Sequence, residues 1–328
     1  MIRWHSYYAG SVMKVQLLIT LFTVLQLNTV AQIHYPYPTQ SVTISTEGKA
    51  ARMVYMDIKP ATPSGRTVVL FHGKNFNGYY WKNVIQYLAN SGLRVIVPDQ
   101  IGWGKSDRPD LHYSFHMLSE NTRQLLDTLG IKKISVVGHS MGGMLAARFT
   151  LLYPDRVEKL VMENPIGLED YKTFVPYQPL DKIFAKEKQA THESYKKYQH
   201  SYYTLWKPEY DQYVEAQAAD LASPDFQKIA WVNAVTYQMI YEQPVLYEFF
   251  KIAVPTLFII GMSDRTIVGK DLLTDQQKLT YGQYQVLGKR AANLIKGAKL
   301  VEMEGVGHIP HIQEAGRFNK VLMDYLNQ

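Results

Sequence analysis

The sequence predicts an α/β protein: a mostly parallel central sheet flanked by helices, with a helical block inserted late in the sheet. Three observations predict it. Thr67–Phe71 (TVVLF) is a continuous apolar run, the pattern of a strand covered on both faces. Strand and helix patterns then alternate down the chain, as crossovers between parallel strands require. Over 164–251 the alternation stops, and it resumes at Pro255.

The elements follow in order. After a Pro-rich leader, His34-Tyr35-Pro36-Tyr37-Pro38, residues 41–45 and 51–58 read as strands. Residues 80–90 have helical spacing and stop at Gly92, and 94–97 reads as strand. A helix over 115–129 ends at Gly130, and a strand at 133–137 meets a helix at 142–153. A strand at 159–162 closes this first half. Beyond the inserted block come strands at 255–260 and 299–303 and a last helix at 314–326. The inserted block shifts in composition to Tyr, Gln and Lys in amphipathic patterns and holds eleven tyrosines. The expected domains are therefore a core of 32–163 and 252–328 and a helical cap of 164–251.

Residues 13–31 carry an address. Lys14 is a short positive region, an apolar stretch runs from Val15 to Leu27, and small Thr29 and Ala31 stand three and one before a cut. This is a secretory signal pattern, counted from Met13 as an internal start, with a mature chain beginning at Gln32. Gln16, Gln26 and Asn28 interrupt the stretch, which falls short of the roughly 20 residues that span a bilayer, so no stable membrane span is expected. The 328 residues contain no cysteine, which excludes disulfides, thiolate chemistry and a lipid-modified Cys. Export makes the expected location secreted or periplasmic. The net charge of +6 is dispersed in pairs such as Lys132-Lys133 and Lys196-Lys197, with no dense basic block, so no nucleic-acid partner is expected.

Chemistry is carried by Gly138-His139-Ser140-Met141-Gly142, a G-x-S-x-G at a strand-to-helix junction. Small residues permit a sharp turn that exposes the Ser140 hydroxyl above a helix N-terminus. A serine hydroxyl needs a base, and the base an orienting acid. Asp264 in the loop after one buried strand and His308 in the loop after the next supply both, at strand C-terminal ends where such sheets bind ligands. Asp271 and Asp275 compete with Asp264, and His311 with His308; the Gly-x-Gly-His setting favours His308. His72-Gly73-Lys74-Asn75 after the first buried strand offers a backbone N–H at Lys74 to pair with that of Met141 as an oxyanion hole. His72 reads as a structural loop residue.

Taken in order, HGKN at 72–75, PDQIGWGKSDRP at 98–109, GHSMGG at 138–143, GMSDRT at 261–266 and GVGH at 305–308 resemble the capped α/β-hydrolase fold over nearly everything after Gln32. The resemblance implies a serine hydrolase with Ser140 as nucleophile, His308 as base and acid, and Asp264 as its partner. It implies no cofactor and no metal. A small-molecule substrate would sit in the crevice between cap and core. Epoxide hydrolases and haloalkane dehalogenases of this fold carry Asp at the elbow, and proline iminopeptidases resemble G-G-S-W-G there; Ser140 in G-H-S-M-G disfavours both. The reading is a carboxylic ester or related acyl substrate. Lactone, thioester, amide or carbon–carbon hydrolysis with the same triad is the alternative, and a non-catalytic ligand-binding protein is the other class. The 44 positions from Asp264 to His308 are long for the family, with an extra loop or helix expected over 270–288.

Overall fold

A strand buried on both faces must send alternate side chains into two cores, and β3 (Thr67–Phe71) does so. Val68 and Leu70 join a cluster with Val84, Leu88, Phe318 and Leu322, whereas Val69 and Phe71 join one with Leu118, Leu145, Phe149 and Leu287. These two clusters are the faces of one eight-stranded sheet, seen in a computed structural model that describes residues 34–328. The expected signal segment 1–31 and its Met13 start lie outside the described residues.

β1 (Thr39–Thr46) and β2 (Lys49–Ile58) form an antiparallel hairpin. Its turn, Glu47-Gly48, has positive φ at both residues, 46° and 74°, the geometry that matches strand twist. β4 (Arg94–Pro98), β5 (Ile134–His139), β6 (Val157–Glu163), β7 (Thr256–Gly261) and β8 (Lys299–Met303) complete the order β1-β2-β4-β3-β5-β6-β7-β8. All pairs from β4 onward are parallel. The chain leaves β3 for β4 on one side and returns to β5 on the other. That reversal opens a crevice at the strand C-terminal ends.

α1 (Lys82–Asn90), α2 (Phe115–Thr128) and α3 (Met141–Leu152) are the crossover helices of the first half. The helix expected from Tyr80 starts instead as a 3-10 turn, Gly78–Trp81, capped by the Asn77 side chain, and becomes α-helical at Lys82. Between β6 and β7 lie α4 (Leu180–Glu187), α5 (His192–His200), α6 (Asp211–Ala218) and α7 (Phe226–Glu242). Several tyrosines here are buried: Tyr203 stacks on Tyr210 at 4.1 Å.

After β7 the 270–288 stretch forms a 3-10 turn, Lys270–Leu272, then α8 (Asp275–Thr280) with a Thr274/Gln277 capping box, and the start of α9 (Tyr284–Leu294). It is joined to the inserted block by Phe174 stacked on Tyr281 at 3.7 Å. α10 (Pro310–Gln313) and α11 (Ala315–Leu326) end the chain. No described helix is long and apolar enough to cross a membrane.

Candidate active site

Between the end of β5 and the start of α3 there is a single residue, Ser140, with φ 57° and ψ −122°. A side chain there costs on the order of 1–3 kcal/mol of backbone strain, which the surroundings must impose. The neighbouring glycines show how. A Cβ on Gly138 would fall inside the Gly142 carbonyl, one on Gly142 would overlap the Phe71 carbonyl, and one on Gly143 would come within 2.6 Å of Pro165. The turn is thus clamped between β3, its own helix and the strand end at Pro165. Ser140 N–H donates to the Glu163 carbonyl at 3.1 Å, fixing the residue against β6.

The crevice end of the sheet brings together three of the expected residues. Ser140 Oγ lies 3.0 Å from His308 Nε2, and His308 Nδ1 lies 2.6 Å from Asp264 Oδ2. A carboxylate only accepts, so Nδ1 carries the proton and Nε2 is left to accept from the serine hydroxyl. Asp264 is itself held: Thr266 N–H donates to Oδ1 and the Asn164 amide to Oδ2, each at 2.8 Å. Burial by itself would raise the Asp264 carboxyl, but His308 and these donors outweigh it and hold it below its usual range. In this arrangement an imidazole can take the serine proton while a fixed carboxylate faces the imidazolium that results.

The two expected oxyanion donors border the same point. Gly73 passes so close that a Cβ on it would lie 3.1 Å from Ser140 Cβ. The N–H groups of Lys74 and of Met141, the first residue of α3, have no acceptor among the described residues. Trp103 Nε1 donates to the Lys74 carbonyl at 2.7 Å and anchors that peptide. The rivals lie elsewhere. Asp271 is exposed and pairs with Lys186, Asp275 pairs with Lys278, and His311 donates to Glu163. His72 is a bridge within the loop, its Nε2 accepting from Gln100 N–H at 3.1 Å and its Nδ1 facing the Gly73 carbonyl at 2.9 Å.

Other residues at the site were not singled out by sequence. Asn164, at φ 36°, sends its amide N–H to Asp264 and accepts from Gly261 N–H at 2.8 Å, joining β6 to β7. Tyr202 of the inserted block stacks on His308 at 4.7 Å, accepts from His308 N–H at 2.7 Å, and receives the Asn75 amide at its hydroxyl at 2.9 Å. A Cβ on Gly307 would collide with the Tyr202 carbonyl, so that glycine lets the two chains meet. Asn164 follows its strand as a turn residue would, and nothing local in the sequence marks it. Nor does anything mark Tyr202 among eleven tyrosines.

Of three cations near the triad, Lys74 alone has a carboxylate partner among the described residues, and Lys270 and Arg265 bond neutral oxygens. Lys74 pairs with Glu187 of α4 at 3.7 Å, Lys270 donates to the Arg265 carbonyl at 2.9 Å, and Arg265 bonds the Asp264 carbonyl and Gln285. Among the described residues no group of three His, Asp or Glu is arranged to hold a metal ion.

The profile of the alpha/beta hydrolase fold family matches residues 66–315, and the chain belongs to that family. Hydrolase is also the class carried by its full-length relatives. A 2-hydroxy-6-oxononadienedioate/2-hydroxy-6-oxononatrienedioate hydrolase from Paraburkholderia phymatum is 29% identical over 304 residues, 88% of this chain and 95% of its own. The crystal structure of a probable hydrolytic enzyme from Pseudomonas aeruginosa superposes with a TM-score of 0.88 at 43% identity, covering 89% of this chain and 95% of that one. An enol-lactonase from Burkholderia xenovorans shares the fold at 22% identity, with a TM-score of 0.66 over 88% of this chain and all of its own.

Proposed function

We propose that the chain is a serine hydrolase that cleaves a carboxylic ester, or a related acyl compound, through an acyl-enzyme on Ser140. The observation that carries the reading is the hydrogen-bonded line Ser140–His308–Asp264, at 3.0 and 2.6 Å. In the proposed step His308 Nε2 takes the hydroxyl proton as Oγ bonds to the acyl carbon. The oxyanion that forms faces the Lys74 and Met141 N–H groups. His308 then hands its proton to the leaving alcohol, and water repeats the sequence to free the acid.

The block 164–251 acts in this proposal as the cap. Ser140 is only 6% exposed, which supports chemistry sequestered from bulk water. The aromatic rings of Tyr202 and Tyr198, 5.3 Å apart, support an acyl or aromatic portion lying beside the triad.

The Paraburkholderia relative favours a second reading, hydrolysis beside a ketone with the same three residues. A panel of p-nitrophenyl esters of rising acyl length, run against a 2-hydroxy-6-oxo-dienedioate, separates the two. Ester turnover and fluorophosphonate labelling, both lost in Ser140→Ala, are expected. Turnover of the dienedioate alone would transfer the assignment to the second reading. We also propose export, supported by the pattern at 13–31; intact mass of the protein recovered from the periplasm or medium should begin at Gln32.

A further inference from the structure

Behind the triad lies a fully buried ring cluster that the proposed chemistry does not use. His139, the residue before Ser140, reaches two ways: its Nε2 is 2.8 Å from the His308 carbonyl oxygen, and its Nδ1 is 3.1 Å from the Tyr80 hydroxyl. Tyr80 Oη in turn accepts from Gly73 N–H at 2.9 Å. His139 is fully buried and Tyr80 is 2% exposed, and Phe76 stacks flat on the Tyr80 ring at 4.5 Å.

Every proton in this line has one possible place. A carbonyl only accepts, so His139 Nε2 carries a hydrogen. Burial pushes the imidazole down to about 3, so at neutral pH the ring holds a single proton and Nδ1 is a bare acceptor. Tyr80 must therefore donate to Nδ1, which leaves its oxygen lone pairs for Gly73 N–H. The bonds run in one direction, from Gly73 N–H through Tyr80 O–H and the His139 ring to the His308 carbonyl, so each polarises the next.

The ends of the line matter. Gly73 precedes Lys74, whose N–H is a proposed oxyanion donor and whose carbonyl Trp103 already anchors. His308 is the proposed base. We infer that Tyr80 and His139 are positioning residues, a proton-ordered relay that locks the oxyanion loop and the base loop in one register around Ser140. The relay rests on the serine-hydrolase reading, and neither residue touches the substrate.

The test uses full-length Tyr80→Phe, His139→Phe and the double variant. Phe keeps a ring at position 139 but has neither an N–H for the His308 carbonyl nor an acceptor for Tyr80, so it cuts the line as Tyr80→Phe does. Each single variant is expected to lower kcat and the rate of fluorophosphonate labelling about 10- to 100-fold, with KM within about twofold. The double variant should be no slower than the worse single, because the line is already cut. Histidine-labelled nitrogen NMR of the wild-type protein should show His139 as the Nε2–H form from pH 5 to pH 9, with its Nδ1 resonance moved in Tyr80→Phe.

A wild-type kcat in Tyr80→Phe, multiplying losses in the double, or an Nδ1–H form of His139 would each overturn the relay. The NMR result stands even if a variant folds poorly. A wild-type protein that never labels overturns the acyl-enzyme reading and the relay's catalytic role together. A wild-type protein that labels, beside an unaffected Tyr80→Phe, overturns the relay alone.

Discussion

Asp264 is 2% exposed, so no water stabilises its charge and protein donors must. It has three partners, the His308 imidazole, Thr266 N–H and the Asn164 amide. Asn164→Ala would remove one of them and leave Gly261 N–H unpaired in the interior. The expected result is a loss of about 1–3 kcal/mol of stability and an Asp264 carboxyl shifted upward, with a tenfold or greater fall in kcat. Denaturant unfolding and a pH–rate profile measure both, and an unchanged acid limb would remove Asn164 from the support of the acid. The same comparison shows what single residues reveal in sequence. Ser140 and His308 stand in motifs where Gly138, Gly142 and Gly307 are required by backbone overlap, so their surroundings announce them. Asn164 follows its strand as any turn residue might, and its role depends on Gly261 of β7 and on Asp264, 97 and 100 positions further on. Long-range partners leave no local pattern.

At the scale of elements, the elbow depends on two chains passing without side chains. Gly142, in the first turn of α3, lies against the Phe71 carbonyl, with no room for a methyl group. Gly142→Ala is therefore expected to cost more than Ala's helix preference of about 1 kcal/mol returns, and to lower the yield of folded protein. A melting temperature equal to or above the wild type would contradict this. Strands and crossover helices were legible because each buried strand is a continuous apolar run and each helix has one apolar face. The 270–288 stretch was legible only as an insertion, because its structure comes from contacts with the block before β7. The Phe174–Tyr281 stack is the clearest of these. A double-mutant cycle with Phe174→Ala and Tyr281→Ala should return a coupling of about 0.5–1.5 kcal/mol. Zero coupling would mean that the segment is held by other contacts.

Across the whole molecule, the interior is rich in histidine, and this sets how stability depends on pH. His72, His139 and His311 are each buried, and in each case burial pushes the imidazole below its ordinary 6.5, to about 3 for His139. The unfolded chain takes up protons on these rings below pH 6.5 while the folded chain refuses them. Stability is therefore lost as pH falls below 6.5, for each ring until its folded value is reached. Glu163 acts in the opposite sense. Burial raises its carboxyl from 4.5 to about 7, against the pull of His139, His308 and the His311 N–H. Between pH 4.5 and 7 the folded chain holds a proton that the unfolded chain has lost, so this group's contribution is present below 4.5 and disappears as pH rises through 7. Asp220, raised by burial to about 6, and Glu169 act in the same sense as Glu163, so the three rings are partly offset and the melting temperature should fall only modestly on acidification from pH 6.5 to pH 4.5. Glu163→Gln separates the two effects, since it removes the group that resists deprotonation while keeping an oxygen for His311. Its melting temperature minus that of the wild type should climb between pH 4.5 and pH 7 and level off above. A difference that is flat with pH would mean that Glu163 titrates alike in the folded and unfolded chains and that its burial carries no cost.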